Sequence, residues 1–252
     1  MAKRAQWLTD EEWARIEPLL PRGRKGAHRV DDRRVISGIV HMLKSGARWR
    51  DCPAEFGPYT TVYNRFNRWS RQGLWLRIFE ALTGHSGIFD GAAIDATHIK
   101  AHRSAAGAKG GPSQAIGRSR GGRTTKLHGL VDECGRPRVL QLSPGNINDI
   151  SMAEALIQAA GPFRRLLADK GYDADHLRKL LAERGAEAVI PSTAARRTPI
   201  PYDKSAYRER NRVERMWCRL KDFRRVATRY DKLAKNYLSG VLIAASCAYW
   251  IN

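Results

Sequence analysis

The sequence predicts an α/β domain with a mixed five-stranded sheet and flanking helices, preceded by an all-α helical module. Three observations predict it. Apolar residues recur at helical spacing from residue 9 to residue 82. Past Gly84 the pattern switches to the alternation of a strand, in GAAIDATHIKAHR. Two further strand-like segments then precede a regular exchange of strands and helices, an order that gives an antiparallel start and parallel crossovers.

Residues 9–20 read as a first helix. Thr9 and Glu12 match a capping box, Trp13, Ile16 and Leu20 form its apolar stripe, and Pro21 stops it. A basic loop fills 22–29. Asp31 or Asp32 can cap a second helix, with Val35, Ile36, Ile39, Val40 and Leu43 at helical spacing and Gly46 past its end. After a loop with Pro53, Gly57 and Pro58, Thr61 can cap a third helix. It turns Val62, Phe66 and Trp69 inward and Asn64, Arg65, Arg68 and Arg71 outward. A fourth covers 74–82.

The strand at 91–103 sets Ile94, Ala96 and His98 against Asp95, Thr97 and Ile99. Residues 104–122, rich in Gly, Ser and cations, read as a loop with Lys109, Arg118 and Arg120 available for phosphates; no GK[ST] follows, so it is not a P-loop. Residues 124–131 and 138–142 make a hairpin about a turn at 133–136. Asn148 or Asp149 caps a helix at 151–159, and an apolar strand at 165–168 ends on Asp169. A helix at 175–184, a strand at 188–191 and a helix from 207 to 221 follow. The uncharged run 236–252 is shorter than the ~20 residues a membrane span needs and carries Asn, Ser and Gly, so it reads as a buried C-terminal helix. The expected domains are therefore residues 1–85, helical, and 86–252, built on the sheet.

A net charge of +20 on 252 residues makes a polyanion the expected partner, and DNA or RNA is the usual one. The 42% hydrophobic content suffices for a core. The four cysteines form no CxxC pair, which argues against a zinc knuckle and fits a reducing cytoplasm. The N-terminus has no apolar signal segment, and no membrane association is expected. The third helix resembles the reader of a helix-turn-helix, because Asn and Arg make bidentate contacts with adenine and guanine edges. The alternative is a merely soluble polar face, and the loop before this helix is longer than the usual tight turn.

The chemistry centres on YRERNRVERMWCRLK, starting at Tyr207. At about 100° per residue, Tyr207, Arg210, Glu214 and Lys221 fall within roughly 60° of one another on a helix. That stripe borders the apolar one of Val213, Met216, Trp217 and Leu220 instead of opposing it, which is unlike a solvated charged face. Asp95 lies within the first strand, and Asp169 at the carboxyl end of the fourth, where open α/β sheets bind ligands. Converging with Glu214, they would form a hard oxygen site suited to two Mg²⁺ or Mn²⁺ ions and to in-line phosphodiester chemistry. Each acid also has a bland reading, Asp95 as an ordinary strand residue and Asp169 as a helix cap. Asp149, Asp173, Asp175 and Glu209 are nearby acids that could be mistaken for members of the set.

These residues resemble the DDE transposases of bacterial insertion sequences, in the group named after insertion sequences four and five. Tyr207, Arg210, Glu214 and Lys221 match that group's spacing of Tyr, two residues, Arg, three residues, Glu, six residues, Lys. IDATHIKAHRSAAGAKGG resembles its first-Asp region, LLADKGYDAD its second, and WRDCPAEFGPYTTVYNRFNRWSRQG the helical region before the core. The resemblance implies an RNase-H-like domain at 86–252 with Asp95, Asp169 and Glu214 as the catalytic, metal-binding triad. It implies two Mg²⁺ ions, replaceable by Mn²⁺, and a helical DNA-binding domain at 1–85. Water attack would free 3′-hydroxyl ends that then attack target DNA, with no covalent protein–DNA intermediate. Arg210 and Lys221 would hold phosphates and Tyr207 would contact DNA near the cut. Further DNA contacts are expected from Asn64, Arg65, Arg68, Arg71, Lys100, Arg103 and Lys126. The implied partners are double-stranded DNA, as terminal inverted repeats and target, and further copies of the chain, at least a dimer on DNA. The implied location is the bacterial cytoplasm, at the nucleoid. A DNA-binding protein of transposase descent and a nuclease without strand transfer are the alternatives. His98 and His102 share a strand face but lie too far apart along it to make zinc the expectation.

Overall fold

The computed structural model describes residues 8–21, 31–84, 87–106 and 114–251. The expected basic loop at 22–29 and Lys109 lie outside them. Contacts divide the chain into two compact units: the described residues of Met1–Gly84, His102–Ala105 and Leu220–Asn252, and those of His85–Ala101 and Ala106–Arg219.

In the first unit, α1 (Asp10–Ile16) starts at the expected capping box: Glu12 N–H donates to Thr9 Oγ1 at 3.2 Å, and the Glu12 carboxylate accepts from Thr9 N–H. Its last turn tightens into a 3₁₀ turn at Glu17–Leu19, where Pro18 cannot continue an α-helix. α2 (Asp32–Ser45) is capped by Asp31, whose Oδ1 accepts from Arg33 N–H at 2.9 Å, and stops at Gly46 with φ 76°. α3 (Tyr59–Arg71) begins ahead of the expected Thr61 cap. Pro58 holds the N-cap position, and its carbonyl accepts from Thr61 and Val62 N–H. α4 (Leu74–Thr83) completes the N-terminal helices and, as expected, ends at Gly84.

The second unit carries the mixed sheet. β1 (Phe89–Ala101), β3 (Gly122–Val131) and β4 (Pro137–Pro144) form its antiparallel half; β5 (Phe163–Leu167) joins β1 in parallel, and β6 (Glu187–Val189) joins β5 in parallel. These are the five expected strands. Among the described residues of this unit one strand is extra: β2 (Gly117–Ser119) pairs with the start of β3 inside the segment read as loop. Three residues are too few for alternation to show, and a Cβ on Gly117 would sit 1.9 Å from Asn146 Oδ1 and 3.0 Å from the Gly145 backbone nitrogen. α5 (Ile150–Ala160) and α6 (Asp175–Glu183) complete the crossovers. Ile94, Leu130, Leu156, Ile157, Leu166, Tyr172, Leu177 and Leu181 lie in the unit's core.

The predicted long helix from 207 is interrupted. α7 (Lys204–Tyr207), capped by Asp203, passes through a 3₁₀ turn at Arg208–Arg210 into α8 (Asn211–Lys221). Beyond it, α9 (Arg224–Ala227) and α10 (Ala234–Ala245) belong to the first unit. α10 packs on α2, α3 and α4 and is buried nearly throughout from Asn236 on, as the uncharged run after Lys235 requires. Thus residues 220–252 pack with the N-terminal helices. Among the described residues, no helix is long and apolar enough to cross a membrane.

Candidate active site

The site is assembled by strand register. β1 and β5 run parallel about 4.8 Å apart with Ala93 opposite Leu167, so Asp95 lies two residues further along β1 and Asp169 two residues past the same pair, just beyond the end of β5. β5 ends before Asp169, whose Oδ1 accepts from Gly171 N–H at 2.8 Å. Both readings of this acid therefore hold together: it caps the 3₁₀ turn Lys170–Tyr172 and stands beside Asp95.

Across the antiparallel edge, Asp95 is directly opposite Gly129. Opposed residues share a face of the sheet, and that face receives α8. A Cβ on Gly129 would lie 2.6 Å from Trp217 Cη2 and 3.1 Å from Met216 Cε. The absent side chain is thus what lets α8 lie on the sheet next to Asp95. Val213, Met216, Trp217 and Leu220 are all buried, so the apolar stripe of α8 does the packing and Glu214 is left at its border, half exposed.

Burial raises the Asp95 carboxyl above its ordinary range, and the charges of Asp169 and Asp149 add to that, against a hydrogen bond from the Ala96 backbone and the charge of Arg210. Arg210 pairs with Glu214, and its guanidinium lies over the Tyr207 ring at 5.8 Å from the centroid. The 3₁₀ turn explains the stacking, since at three residues per turn i and i+3 eclipse. Burial opposes the charge on Arg210, but Glu214, Tyr207 and Asp95 outweigh it and its pKa is raised. The structure therefore brings Asp95 to Asp169, and Glu214 to Arg210 and Tyr207. Among the described residues, no three His, Cys, Asp or Glu side chains are close enough to hold one ion together. The donor set nonetheless fits a hard divalent cation: carboxylate oxygens in excess of local positive charge, one of them desolvated.

The family comparisons fall on these elements. The model described as "Transposase DDE domain" matches residues 88–251, and one described as a transposase of the IS4/5 family matches residues 8–79. The chain belongs to the DDE transposase family. A Brucella ovis protein named as a transposase for insertion sequence element IS6501 is 34% identical over 124 residues, covering 49% of this chain and 95% of that protein. A Burkholderia cepacia protein named as a transposase for insertion sequence element IS402 is 33% identical over 134 residues, covering 49% of this chain and 60% of that protein. Among solved structures, a piggyBac transposase synaptic complex with hairpin DNA matches 97% of this chain and 70% of its own, with a TM-score of 0.55 at 11% identity, a likeness of fold.

The other expected DNA contacts of this transposase divide by environment. Asn64, Arg68 and Arg71 are exposed on α3, Lys100 is exposed on β1, and Arg103 is exposed just after it. Lys221 ends α8, half-buried. Arg65 is drawn inward, pairing with Asp32 and lying over Trp69. Lys126 is buried, its Nζ 2.9 Å from Asp149 Oδ1 and 2.8 Å from the Ile147 carbonyl. Asp149 sits at the N-cap of α5 but makes no capping hydrogen bond; its carboxylate faces Lys126 and His128 instead. His128, which the sequence analysis passed over, is fully buried. Burial pushes its pKa down to about 4, so the ring is neutral. Alternation along 126–130 was the signal that could have placed Lys126 and His128 on one buried face with Leu130.

Proposed function

We propose that this chain is the transposase of a bacterial insertion sequence, cleaving element ends and joining their 3′-hydroxyls to target DNA with Asp95, Asp169 and Glu214 as its catalytic, metal-binding acids. The observation that carries this reading is the pairing of strand register with helix packing. Asp95 and Asp169 stand side by side at the sheet, and α8 rests on Gly129 opposite Asp95 with Glu214 on its border. Two Mg²⁺ ions, or Mn²⁺ in their place, would supply the Lewis acidity that polarises the phosphodiester and activates the attacking oxygen.

The chain's own groups do the rest. Asp95 and Asp169 orient the reacting phosphate's surroundings from neighbouring strands. Arg210, poised between Glu214 and the Tyr207 ring, is a cation that can neutralise a DNA phosphate, as is Lys221. Tyr207 offers a half-exposed ring to a base or sugar near the cut. Residues 1–85 act as the DNA-binding domain through Asn64, Arg68 and Arg71, and residues 86–252 as the catalytic domain. The separate family matches at 8–79 and 88–251 support that division. The substrate is duplex DNA, as element ends and target, and handling two ends requires at least two copies of the chain. The setting is the bacterial nucleoid.

The test is a joining assay with the purified chain, linear DNA carrying the flanking ends of its own gene, supercoiled target and Mg²⁺. Joined product that disappears with EDTA is expected. Cleavage without joining would replace this reading with a nuclease, and end binding without cleavage in either ion would replace it with a DNA-binding protein.

A further inference from the structure

Arg118, Arg120 and Arg123 lie on the hairpin of β2 and β3, and all three are exposed. Arg118 is directly opposite Arg123, and Arg120 stands in the turn between Ser119 and Gly122. Like charges directly opposite on paired strands weaken the pairing. The chain offers no compensating acid. Among the described residues, the side chains of Arg118 and Arg120 make no ion pair or hydrogen bond, and Arg123 Nη1 donates only to the Ala106 carbonyl, at 3.3 Å. The remaining residues of the sequence contain no Asp or Glu.

The hairpin is nonetheless fastened to the sheet. Gly145 N–H, just past β4, donates to the Thr124 carbonyl at 3.1 Å, Thr124 Oγ1 donates to Ser119 Oγ at 3.0 Å, and Ser119 Oγ donates to the Gly122 carbonyl at 3.3 Å. A Cβ on Gly145 would meet Thr124 Oγ1 at 1.9 Å, so the chain after β4 closes directly on β3. The register of β1 with β3 is unbroken from Ala93 to Lys100, and Arg123 precedes Gly129 on β3 by an even number of residues. Arg123 and its partner Arg118 therefore project from the sheet face of Asp95 and Gly129, about 20 Å along it. A duplex advances about 3.4 Å per base pair, so that distance spans about six base pairs.

The chemistry of the hairpin selects its partner. Residues 117–123 are only Gly, Ser and Arg. They offer a protein partner no apolar anchor and a single strand no ring on which to stack. Guanidinium forks match phosphate oxygens, which recur along a duplex backbone as these cations recur along the hairpin.

We propose that the β2–β3 hairpin is a further DNA-contact surface: Arg118, Arg120 and Arg123 hold backbone phosphates of duplex DNA about six base pairs from the scissile phosphate, without reading sequence. The distance to the cut rests on the transposase reading above, and the phosphate contact rests only on the hairpin.

The experiment measures the affinity of the full chain for a duplex of unrelated sequence over a range of salt concentrations. It compares the parent, Arg118→Gln/Arg120→Gln, and the control Arg164→Gln/Lys179→Gln, whose exposed cations pair with Asp90 and Glu183. The hairpin variant should reduce the slope of log K against log salt by about two and unfold at or above the parent's temperature, while the control keeps the parent's slope. A parent-like slope in the hairpin variant would overturn the proposal, as would an equal loss in the control, which would assign the effect to net charge. Lowered unfolding temperature with weaker binding would give the arginines a structural role and overturn it too, and so would a parent that binds no duplex. In single-turnover cleavage of end DNA, a neutral methylphosphonate about six base pairs from the cut should slow the parent and leave the hairpin variant no slower than on unmodified DNA; absence of that coupling would overturn the placement. A parent that binds duplex but cleaves no DNA would refute the transposase reading, while the salt series still decides the hairpin.

Discussion

Asp173 follows Tyr172, and its side chain is shielded from solvent, yet it is charged. Its carboxylate accepts from Arg178 Nε at 2.8 Å, Arg196 Nη2 at 3.0 Å and Thr193 N–H at 2.7 Å, which ties the segment after β6 to the start of α6. Burial works against that charge, but the hydrogen bonds from Arg196, Thr193 N–H and Arg178 outweigh it and hold the carboxyl well below the usual range. The unfolded chain therefore takes up this proton first as pH falls. The stabilisation is complete above the unfolded value of about 3.9 and is lost progressively below it. Asp173→Asn should lower the unfolding temperature at pH 7, because Arg178 and Arg196 lose charge-assisted hydrogen bonds, although Arg196 keeps its pairing with Asp175. In urea unfolding the gap between parent and variant should narrow below about pH 4; an equal gap at pH 7 and pH 3 would contradict this assignment. Residue identity alone did not separate Asp173 from Asp169. Both are Asp in one short stretch, and only the register of β5 against β1 shows that one faces the site and the other a pair of arginines.

At the scale of elements, the contact of α8 with the sheet decides where Glu214 stands. Gly129→Ala would place a methyl group against the Trp217 ring, with backbone and indole both confined. Overpacking of this kind costs about 1–3 kcal/mol. Because it lifts the helix bearing Glu214 and Arg210, single-turnover cleavage should fall by about a hundredfold, with a change in Trp217 fluorescence. A variant with parent-like cleavage would show that α8 does not set the geometry. Most elements were legible in the sequence, since capping boxes, glycine stops and alternation are local signals. Three features were not. β2 is too short to alternate, the 3₁₀ turn at Arg208–Arg210 leaves helical periodicity nearly intact, and Asp149 looks like a cap until Lys126 is seen holding its carboxylate. The face shared by Tyr207, Arg210 and Glu214 survived the turn, because it shifts the wheel by only a few tens of degrees.

At the scale of the whole molecule, the charge of +20 makes DNA affinity salt-dependent. Each phosphate contact contributes about 0.9 to the slope of log K against log salt. Replacing both exposed Arg68 and Arg71 with Ala should reduce that slope by about two. Arg65→Ala should leave the slope unchanged and lower the unfolding temperature, because Arg65 is engaged with Asp32 and Trp69 inside the helical unit. An equal loss of slope from Arg65→Ala would return that residue to the DNA interface. Composition pointed to a polyanionic partner; it could not point to which cations reach it, since burial depends on partners far away in the sequence, as Lys126 and Asp149 illustrate.

The central claim is that Asp169 binds the ion that cleaves DNA, and a change of ligand softness tests it most directly. End DNA would be incubated with the parent and with Asp169→Cys in Mg²⁺ and in Mn²⁺. Thiolate suits the softer Mn²⁺ better than Mg²⁺. The account predicts cleavage by the parent in both ions, none by the variant in Mg²⁺, and recovery by the variant in Mn²⁺. Cleavage by the variant in Mg²⁺ at the parent's rate would contradict it.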